Sequence, residues 1–235
     1  MHLTLPCVPR FIRYIWSQWI RPLALPLLLI ATAKSALADI NFVPSGSMRP
    51  TIVEGDVVFV NKLAYNLRVP FTTVSVAHWA DPARGDIIVC FSPDDNTRLV
   101  KRLVAVPGDT VELRDGVLYL NGERSTYRIL PGEVFDFSAL ERAAGGGLAQ
   151  ETTAGHSRPI MVLPGFAARR SFGPTTLPPD MYFVLGDNRD NSKDSRYFGP
   201  VSRDQIVGRA KGVFVSADPA RWLRPRFERF WSPLL

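Results

Sequence analysis

The chain has few of the residues that build metal sites and disulfides. Its 235 residues include two cysteines, Cys7 and Cys90, and three histidines, His2, His78 and His156, all far apart in the sequence. A structural zinc site needs cysteines and histidines at short spacings, so the sequence predicts no metal and gives no indication of a cofactor. If the apolar segment near the N-terminus enters a membrane, the two thiols lie on opposite sides and cannot pair.

A long hydrophobic run is also missing. The N-terminal apolar run, residues 23–33, has 11 residues, which as a helix span roughly 17 Å against a hydrocarbon core of about 30 Å. Crossing would require Arg21 or Lys34 to reach the headgroups. The small-x-small pattern at 36–38 resembles a signal-peptide cleavage site. Residues 1–38 are therefore predicted to be a cytoplasmic stub with a transmembrane or signal-like segment, and the sequence leaves open whether it is kept or removed.

Positive charge is concentrated at the two ends of the chain. The net charge is +6, of which residues 1–40 carry +3 and residues 217–235 carry +2. Four of the five tryptophans lie in the same ends: Trp16, Trp19, Trp222 and Trp231. Basic residues beside tryptophan are typical of a membrane interface, although two solvated basic tails would have the same composition. The distribution predicts membrane phospholipid as a partner, no nucleic acid, and an N-terminus inside with everything after about residue 39 exported.

The composition favours strands and turns. Twenty prolines and 17 glycines are more typical of short strands than of a helical bundle. Residues 123–177 differ from the rest, with a glycine-rich stretch and several prolines, and are predicted to be an insertion with its own small sheet. The sequence thus predicts a mainly β fold with a catalytic core at 39–122 and 178–216, split by that insertion. A basic aromatic tail follows at 217–235. Short β-branched runs mark the predicted core strands at 56–60, 85–89, 98–106, 111–113, 117–120, 180–185 and 206–215.

A serine-rich turn is the first segment that could carry chemistry. In VPSGSMRPT (43–51) a glycine separates Ser45 from Ser47, and prolines stiffen both sides. Such a turn can present one hydroxyl and direct backbone N–H groups toward the same point. Taken alone, the pattern is equally that of a plain loop.

A lysine within a strand is the second. Period-2 alternation places Lys101 on one face with Leu99, Leu103 and Ala105, while Arg102 points the other way. Loss of solvent lowers the pKa of a lysine, and a neutral amine can act as a general base. The alternative is a solvated lysine that blocks pairing at a sheet edge.

The third segment is a polar loop directly after an apolar strand. Ten of the eleven side chains in GDNRDNSKDSR (186–196) are polar. A solvated turn or a calcium loop would also be polar, but the acidic spacing does not fit a calcium loop. No histidine falls in any of the three segments, so a Ser-His-Asp arrangement would lack its central member.

These segments, in this order, resemble the bacterial type I signal peptidases, membrane-bound serine endopeptidases with a Ser–Lys dyad. The resemblance runs from about residue 34 to 215 and implies a signal-peptidase-like fold of antiparallel sheets. It is carried by PSGSMRPT (44–51), GDVVFVNKLAYNLRVP (55–70), RGDIIVCFSP (84–93), VKRLVAVPGD (100–109) and GDNRDNSKDSRYFGPV (186–201).

The resemblance implies roles for individual residues. Ser47 would be the nucleophile and Lys101 its neutral general base. Ser192 would orient the Lys101 amine, and the Ser45 hydroxyl with the Ser47 N–H would form the oxyanion hole.

The resemblance also implies supporting and binding residues. Arg102 would pair with Asp187, and Asp194 with Arg196 would hold the polar loop. The substrate would add a strand beside Lys101. Pocket walls that admit only small residues would be Val43, Met48, Ile52, Leu99 and Val100. Asn41 departs from the family, which often has an aromatic residue there.

The implied function is removal of signal peptides from exported preproteins after small-x-small sites, at the bacterial cytoplasmic membrane, by a single-pass protein. The nearest alternative is a dedicated relative that serves one conjugation, pilin or secretion substrate. Self-cleaving repressors use similar chemistry, but no DNA-binding helical domain precedes residue 41. A secreted β-domain without catalysis is the remaining alternative.

Overall fold

A computed structural model describes most of the chain. The residues described are Tyr14, Gln18, 21–69, 72, 75–131 and 135–234. The predictions that concern Cys7, Arg10, Arg13, Trp16 and Trp19 therefore lie outside the described residues. The mainly β prediction is confirmed, and every pair of named strands is antiparallel.

Short strands and three helices make up the described chain. The helices are α1 (Arg21–Leu37), α2 (Ala139–Ala143) and α3 (Ser195–Phe198). The strands are β1 (Ala38–Phe42), β2 (Asp56–Asn61), β3 (Asn66–Arg68), β4 (Ser75–His78), β5 (Ile87–Phe91), β6 (Arg98–Ala105), β7 (Thr110–Arg114), β8 (Val117–Leu120), β9 (Glu123–Arg124), β10 (Thr126–Leu130), β11 (Gly147–Thr153), β12 (His156–Val162), β13 (Phe172–Thr176), β14 (Met181–Leu185), β15 (Val201–Ser202), β16 (Ile206–Asp218) and β17 (Arg224–Pro225).

The largest sheet positions the predicted catalytic strand near its middle. Its order is β1-β2-β16-β5-β6-β14-β15, with β17 added to β16. Apolar side chains of β5, β6 and β14 pack in two clusters, one on Leu103 and Val184 and the other on Ala105 and Phe183. From Arg102 onward β6 is thus a buried central strand, paired with β5 on one side and with β14 on the other.

Three smaller sheets accompany this one within the described ranges, the smallest formed by β3 and β4. β7 and β8 form the predicted hairpin, and its turn residues Asp115 and Gly116 both have positive φ, as a two-residue hairpin turn requires. The order of that sheet is β13-β7-β8-β9, and β10-β11-β12 form a separate sheet. β9 and β13 thus pair with strands outside the predicted insertion, although their residues fall within 123–177. The division into domains stays a prediction.

The C-terminal tail packs back onto the core. The predicted boundary after residue 216 falls inside β16, which continues to Asp218. Arg229 donates to both carboxylate oxygens of buried Asp56, at 3.0 and 2.6 Å. Leu234 packs against the apolar cluster beneath the serine turn. The tail is therefore part of the sheet's packing.

α1 covers most of the predicted membrane segment. It has 17 residues and contains Pro26. In the described part of the chain, no helix has both the length and the apolar character that crossing a bilayer requires. The transmembrane helix predicted within residues 1–38 is not confirmed.

A buried charge cluster ties the β10–β12 sheet to the polar loop. Glu151 of β11 is fully buried and accepts hydrogen bonds from Arg158 of β12 and Arg189 of the loop, and from the Tyr127 hydroxyl at 2.7 Å. Burial alone would raise the pKa of Glu151, but Arg189 and Arg158 outweigh it and lower that pKa to about 2. Glu151 is therefore ionised in the fold and holds two buried cations.

Replacing Glu151 by Gln should destabilise the protein by about 3 kcal/mol at neutral pH, because two buried guanidinium groups lose their counter-charge. A depressed carboxyl pKa stabilises the fold above the unfolded value near 4.5, and this contribution disappears as pH falls toward about 2. Urea unfolding of wild type and Glu151→Gln at pH 7 and pH 3 measures both effects, with the gap narrower at pH 3.

Glu123→Gln is the matched control, since Glu123 is exposed on β9. Equal unfolding free energies for the Glu151 and Glu123 variants at pH 7 would contradict the proposed contribution of the cluster.

Candidate active site

The serine turn and the strand lysine meet in the structure. A single turn of 3-10 helix, Gly46–Met48, buries Gly46 and Met48 and leaves Ser47 between them partly exposed. The Lys101 Nζ donates to the Ser47 Oγ at 2.7 Å and to the Val100 carbonyl at 3.1 Å. Residues 54 positions apart in the chain thus lie within hydrogen-bond distance, as a nucleophile and its base would need to.

Burial determines the state of Lys101. Only 2% of the residue is exposed. Ile88 of β5 pairs with Lys101, and the serine turn contacts its amine. Burial lowers the pKa of Lys101 below its ordinary value near 10.5, and the carboxylates of Asp194 and Asp187 oppose this only in part. The alternative of a solvated edge lysine is therefore wrong.

The polar loop lies against the serine turn. The Asn188 N–H donates to the Ser47 carbonyl at 3.1 Å, and its side-chain amide donates to the Gly46 carbonyl at 3.2 Å. A Cβ on Gly186 would lie 2.4 Å from the Ser47 carbonyl oxygen and 2.3 Å from the Ser192 Oγ. Only glycine permits this approach.

The predicted supporting ion pairs are present. Arg102 forms a bidentate pair with Asp187, at 2.8 and 2.7 Å, and both side chains are buried. Arg196 pairs with Asp194 in the same way, both contacts being 2.8 Å. The Asp194 carboxylate also accepts from the Gly186 N–H at 3.0 Å. The Arg102–Asp187 pair joins the start of the loop to the strand that carries Lys101, and the contacts of Asp194 connect the two ends of the loop to each other.

Ser192 lacks the bond to Lys101 that was predicted for it, and the contact predicted for Ser45 is to a substrate. Ser45 is exposed, and its hydroxyl makes no capping bond to the 3-10 turn. The Ser192 Oγ is buried and has no hydrogen-bond partner among the described residues. An unsatisfied buried hydroxyl close to the turn is available to bond the lysine or a substrate. The roles assigned to both serines stay predictions.

Four of the five predicted pocket residues pack together. Val43, Met48 and Ile52 belong to one apolar cluster beneath the turn, and Val100 packs against it. Leu99 packs instead in a cluster with Cys90 and Tyr65, because successive strand residues point to opposite faces.

The first half of β6 has one open edge. β14 pairs with β6 only from Arg102 onward, so 98–101 have no strand partner on that side among the described residues. β5 occupies the opposite side. An extended peptide could add there, beside Lys101 and above the apolar cluster.

Thr51 and Glu151 also contribute to this site, although sequence reasoning did not single them out. The Thr51 hydroxyl donates to the Asp187 carboxylate at 2.5 Å, and Glu151 holds Arg189. Thr51 lies within the serine motif, so its position was a possible signal. Glu151 lies in β11 outside every motif, so the sequence does not distinguish it from the other polar residues of that strand. The described residues contain no group of acidic, histidine and cysteine side chains that could hold a metal ion.

Comparison with known proteins gives a consistent result. The sequence model of the family described as "Signal peptidase, peptidase S26" matches residues 16–215. Signal peptidase I of Pseudomonas fluorescens is 34% identical over 216 residues, covering 86% of this chain and 74% of that protein. Signal peptidase I P of Bacillus subtilis subsp. natto is 31% identical over 205 residues, covering 87% and 91%.

A crystal structure of a signal peptidase I from Enterococcus faecalis V583 is 36% identical, with a TM-score of 0.33, and covers 55% of this chain and 97% of that one. The family model spans most of the chain, and the two curated relatives extend over more than four fifths of it. The chain therefore belongs to the signal peptidase family, peptidase family S26.

Proposed function

We propose that this protein is a membrane-bound serine endopeptidase that removes signal peptides from exported preproteins, using Ser47 as nucleophile and neutral Lys101 as general base. The observation that carries the proposal is the 2.7 Å contact between the Ser47 Oγ and the amine of Lys101, a residue that is 2% exposed. A serine hydroxyl needs a nearby base to become nucleophilic, and a lysine serves as one only when it has lost its proton.

The first half of the reaction forms an ester. The Ser47 Oγ attacks the carbonyl carbon of the scissile peptide while its proton passes to the Lys101 Nζ. The tetrahedral intermediate collapses, the C–N bond breaks, and the Lys101 ammonium gives its proton to the leaving amine. The mature protein leaves with a free amino terminus, and the signal peptide remains on Ser47.

Hydrolysis of the ester completes the cycle. Lys101 accepts a proton from a water molecule while the water oxygen attacks the ester carbonyl. It then returns a proton to the Ser47 Oγ when the C–O bond breaks. In both steps, the Ser47 N–H and the Ser45 hydroxyl would donate to the developing oxyanion, a type of interaction that lowers barriers by about 3–4 kcal/mol. Ser192 would bond and orient the Lys101 amine.

The open edge of β6 supports a preference for small-x-small sites. A substrate strand there would direct alternate side chains toward the sheet. Val43, Met48, Ile52 and Val100 form closely packed apolar walls below it, so residues one and three positions before the cut would have to be small. Leu99 lies on the opposite face of β6 from Val100, so it would contact the substrate only from that face.

We also propose that the protein resides at the cytoplasmic membrane with its catalytic part exported. The net charge of +3 on residues 1–40 supports this orientation. Trp222 and Trp231 are 99% and 73% exposed, as expected of side chains that contact lipid at the interface.

Ser47→Ala and Lys101→Ala should each abolish cleavage of a preprotein, because one removes the attacking oxygen and the other its base. Replacing one member of a catalytic triad or dyad lowers the turnover number by several orders of magnitude. Gel or mass-spectrometric assay of preprotein processing measures it. Ser171→Ala and Lys211→Ala are the matched controls, since both residues are exposed. Full activity in either dyad variant would eliminate this mechanism.

Activity should rise with increasing pH to a plateau. The pH of half-maximal activity should lie below the ordinary lysine pKa near 10.5. The reason is that Lys101 must be neutral to act and burial lowers its pKa. The pH profile of kcat/KM for a peptide substrate measures this. Ser45→Ala should lower kcat without moving the midpoint. A midpoint at or above the ordinary lysine value would refute a desolvated base.

The full chain, expressed in a bacterium, should fractionate with the inner membrane and become accessible to external protease once the outer membrane is opened. Immunoblotting of spheroplasts with and without protease tests this. Protection until the inner membrane is lysed would reverse the proposed orientation. The mass of the purified protein tests the anchor, because a mass starting at Asp39 would mean that the segment is removed.

A further inference from the structure

A large groove opens beside the catalytic serine and has no part in the mechanism above. Its volume of 1240 Å³ exceeds the roughly 300–1,000 Å³ of small-molecule pockets. Three parts of the chain line it: the two flanks of the serine turn at Pro44 and Arg49, residues 135–142 of the insertion, and residues 218–229 of the tail. A groove of this volume has room for a segment of peptide.

The groove borders the serine turn and not β6. No residue of β6 lines the groove, and neither does Met48 or Ile52 of the apolar cluster. The serine turn contacts β6 through Ser47 and Lys101 and flanks the groove at Pro44 and Arg49. A peptide lying along the open edge of β6, with its scissile carbonyl at Ser47, would pass over the turn and could continue into this groove.

The lining of the groove carries charges of both signs. Six arginines and four acidic residues line it, and two further carboxylates, Glu141 and Asp56, pair with Arg49 and Arg229. Arg49 is held by Glu54 and Glu141, at 3.0 and 2.9 Å, and it stacks on the Phe135 ring at 4.9 Å from the centroid. Arg49 is thus a neutralised, rigid part of the wall.

The available charge lies on the tail wall. Arg224 is exposed and has no ion-pair partner among the described residues. Arg221 is 66% exposed, and its nearest carboxylate, on Asp218, is 3.7 Å away and also contacts Arg226 at 3.3 Å. Exposed carboxylates are present too, on Asp136 and Glu228, so a preference for acidic residues would depend on contact with Arg221 and Arg224 and not on the total charge of the groove. Phe227 and Pro219 supply apolar surface between the charges.

We propose that this groove receives the part of the substrate that follows the cleaved bond, the first residues of the mature protein, and that Arg221 and Arg224 favour acidic side chains there. The inference rests on the proposed peptidase function and adds a second specificity determinant to it. The apolar cluster would select the residues before the cut by size, and the groove would select those after it by charge.

Three synthetic peptides test the proposal. They share one sequence up to the cut and differ only at the second to fifth residues after it, which are acidic, neutral or basic. In wild type, kcat/KM should be roughly two- to tenfold higher for the acidic than for the basic peptide, the size expected of one or two exposed ion pairs. The preference should shrink at high salt.

The double variant R221E/R224E should abolish or reverse this ratio. Comparing two peptides with one enzyme preparation cancels any loss of active protein, so misfolding cannot imitate the result. R224Q, a milder change, should give an intermediate ratio. R128E is the matched control, because Arg128 is exposed on β10 outside the groove, and its ratio should equal that of wild type.

The possible failures are distinguishable. A wild-type ratio near one, or a ratio unchanged in R221E/R224E, overturns the groove proposal while Ser47-dependent cleavage of the neutral peptide preserves the peptidase function. If no peptide is cleaved, both fall. If the double variant keeps the ratio but loses binding to vesicles containing phosphatidylglycerol, the arginines contact lipid and the groove proposal is overturned.

Discussion

The structure depends on keeping one lysine amine dry next to one serine hydroxyl. Lys101 would be charged in water, and burial lowers its pKa. The apolar neighbours of β6 contribute to that burial. The polar loop holds the serine turn next to the amine, because the Asn188 N–H donates to the Ser47 carbonyl.

Burying an amine so close to charged groups requires those groups to be neutralised locally. Asp187 and Asp194 could each hold a proton on Lys101, yet each is engaged by its own arginine in a bidentate pair. Each arginine therefore offsets much of the negative charge that would otherwise raise the pKa of Lys101. The same loop is held from the other side by Glu151 through Arg189, so the β10–β12 sheet supports the catalytic turn at a distance.

Local patterns predicted a good part of this molecule. The β7–β8 hairpin follows from Asp115 and Gly116, and the buried face of β6 follows from alternation around Lys101. The domain limits were harder to predict, because β13 pairs with β7 across about 60 residues of intervening chain. Pairing between distant strands depends on which surfaces meet, and no local signal reports it. The fate of the membrane segment was also beyond local prediction. Its 11-residue apolar run is short for a membrane span but long enough for the apolar region of a signal peptide.

The sequence by itself determined the chemical groups and the backbone freedom around them: two serines on a glycine turn, one lysine in an apolar strand, and a glycine where the loop must touch the turn. Tertiary structure alone decided which of these groups meet. The 2.7 Å contact of Ser47 with Lys101 and the arginine-lined groove both arise from long-range packing. Such contacts are set by the shapes and charges of assembled surfaces, which a linear pattern does not encode locally.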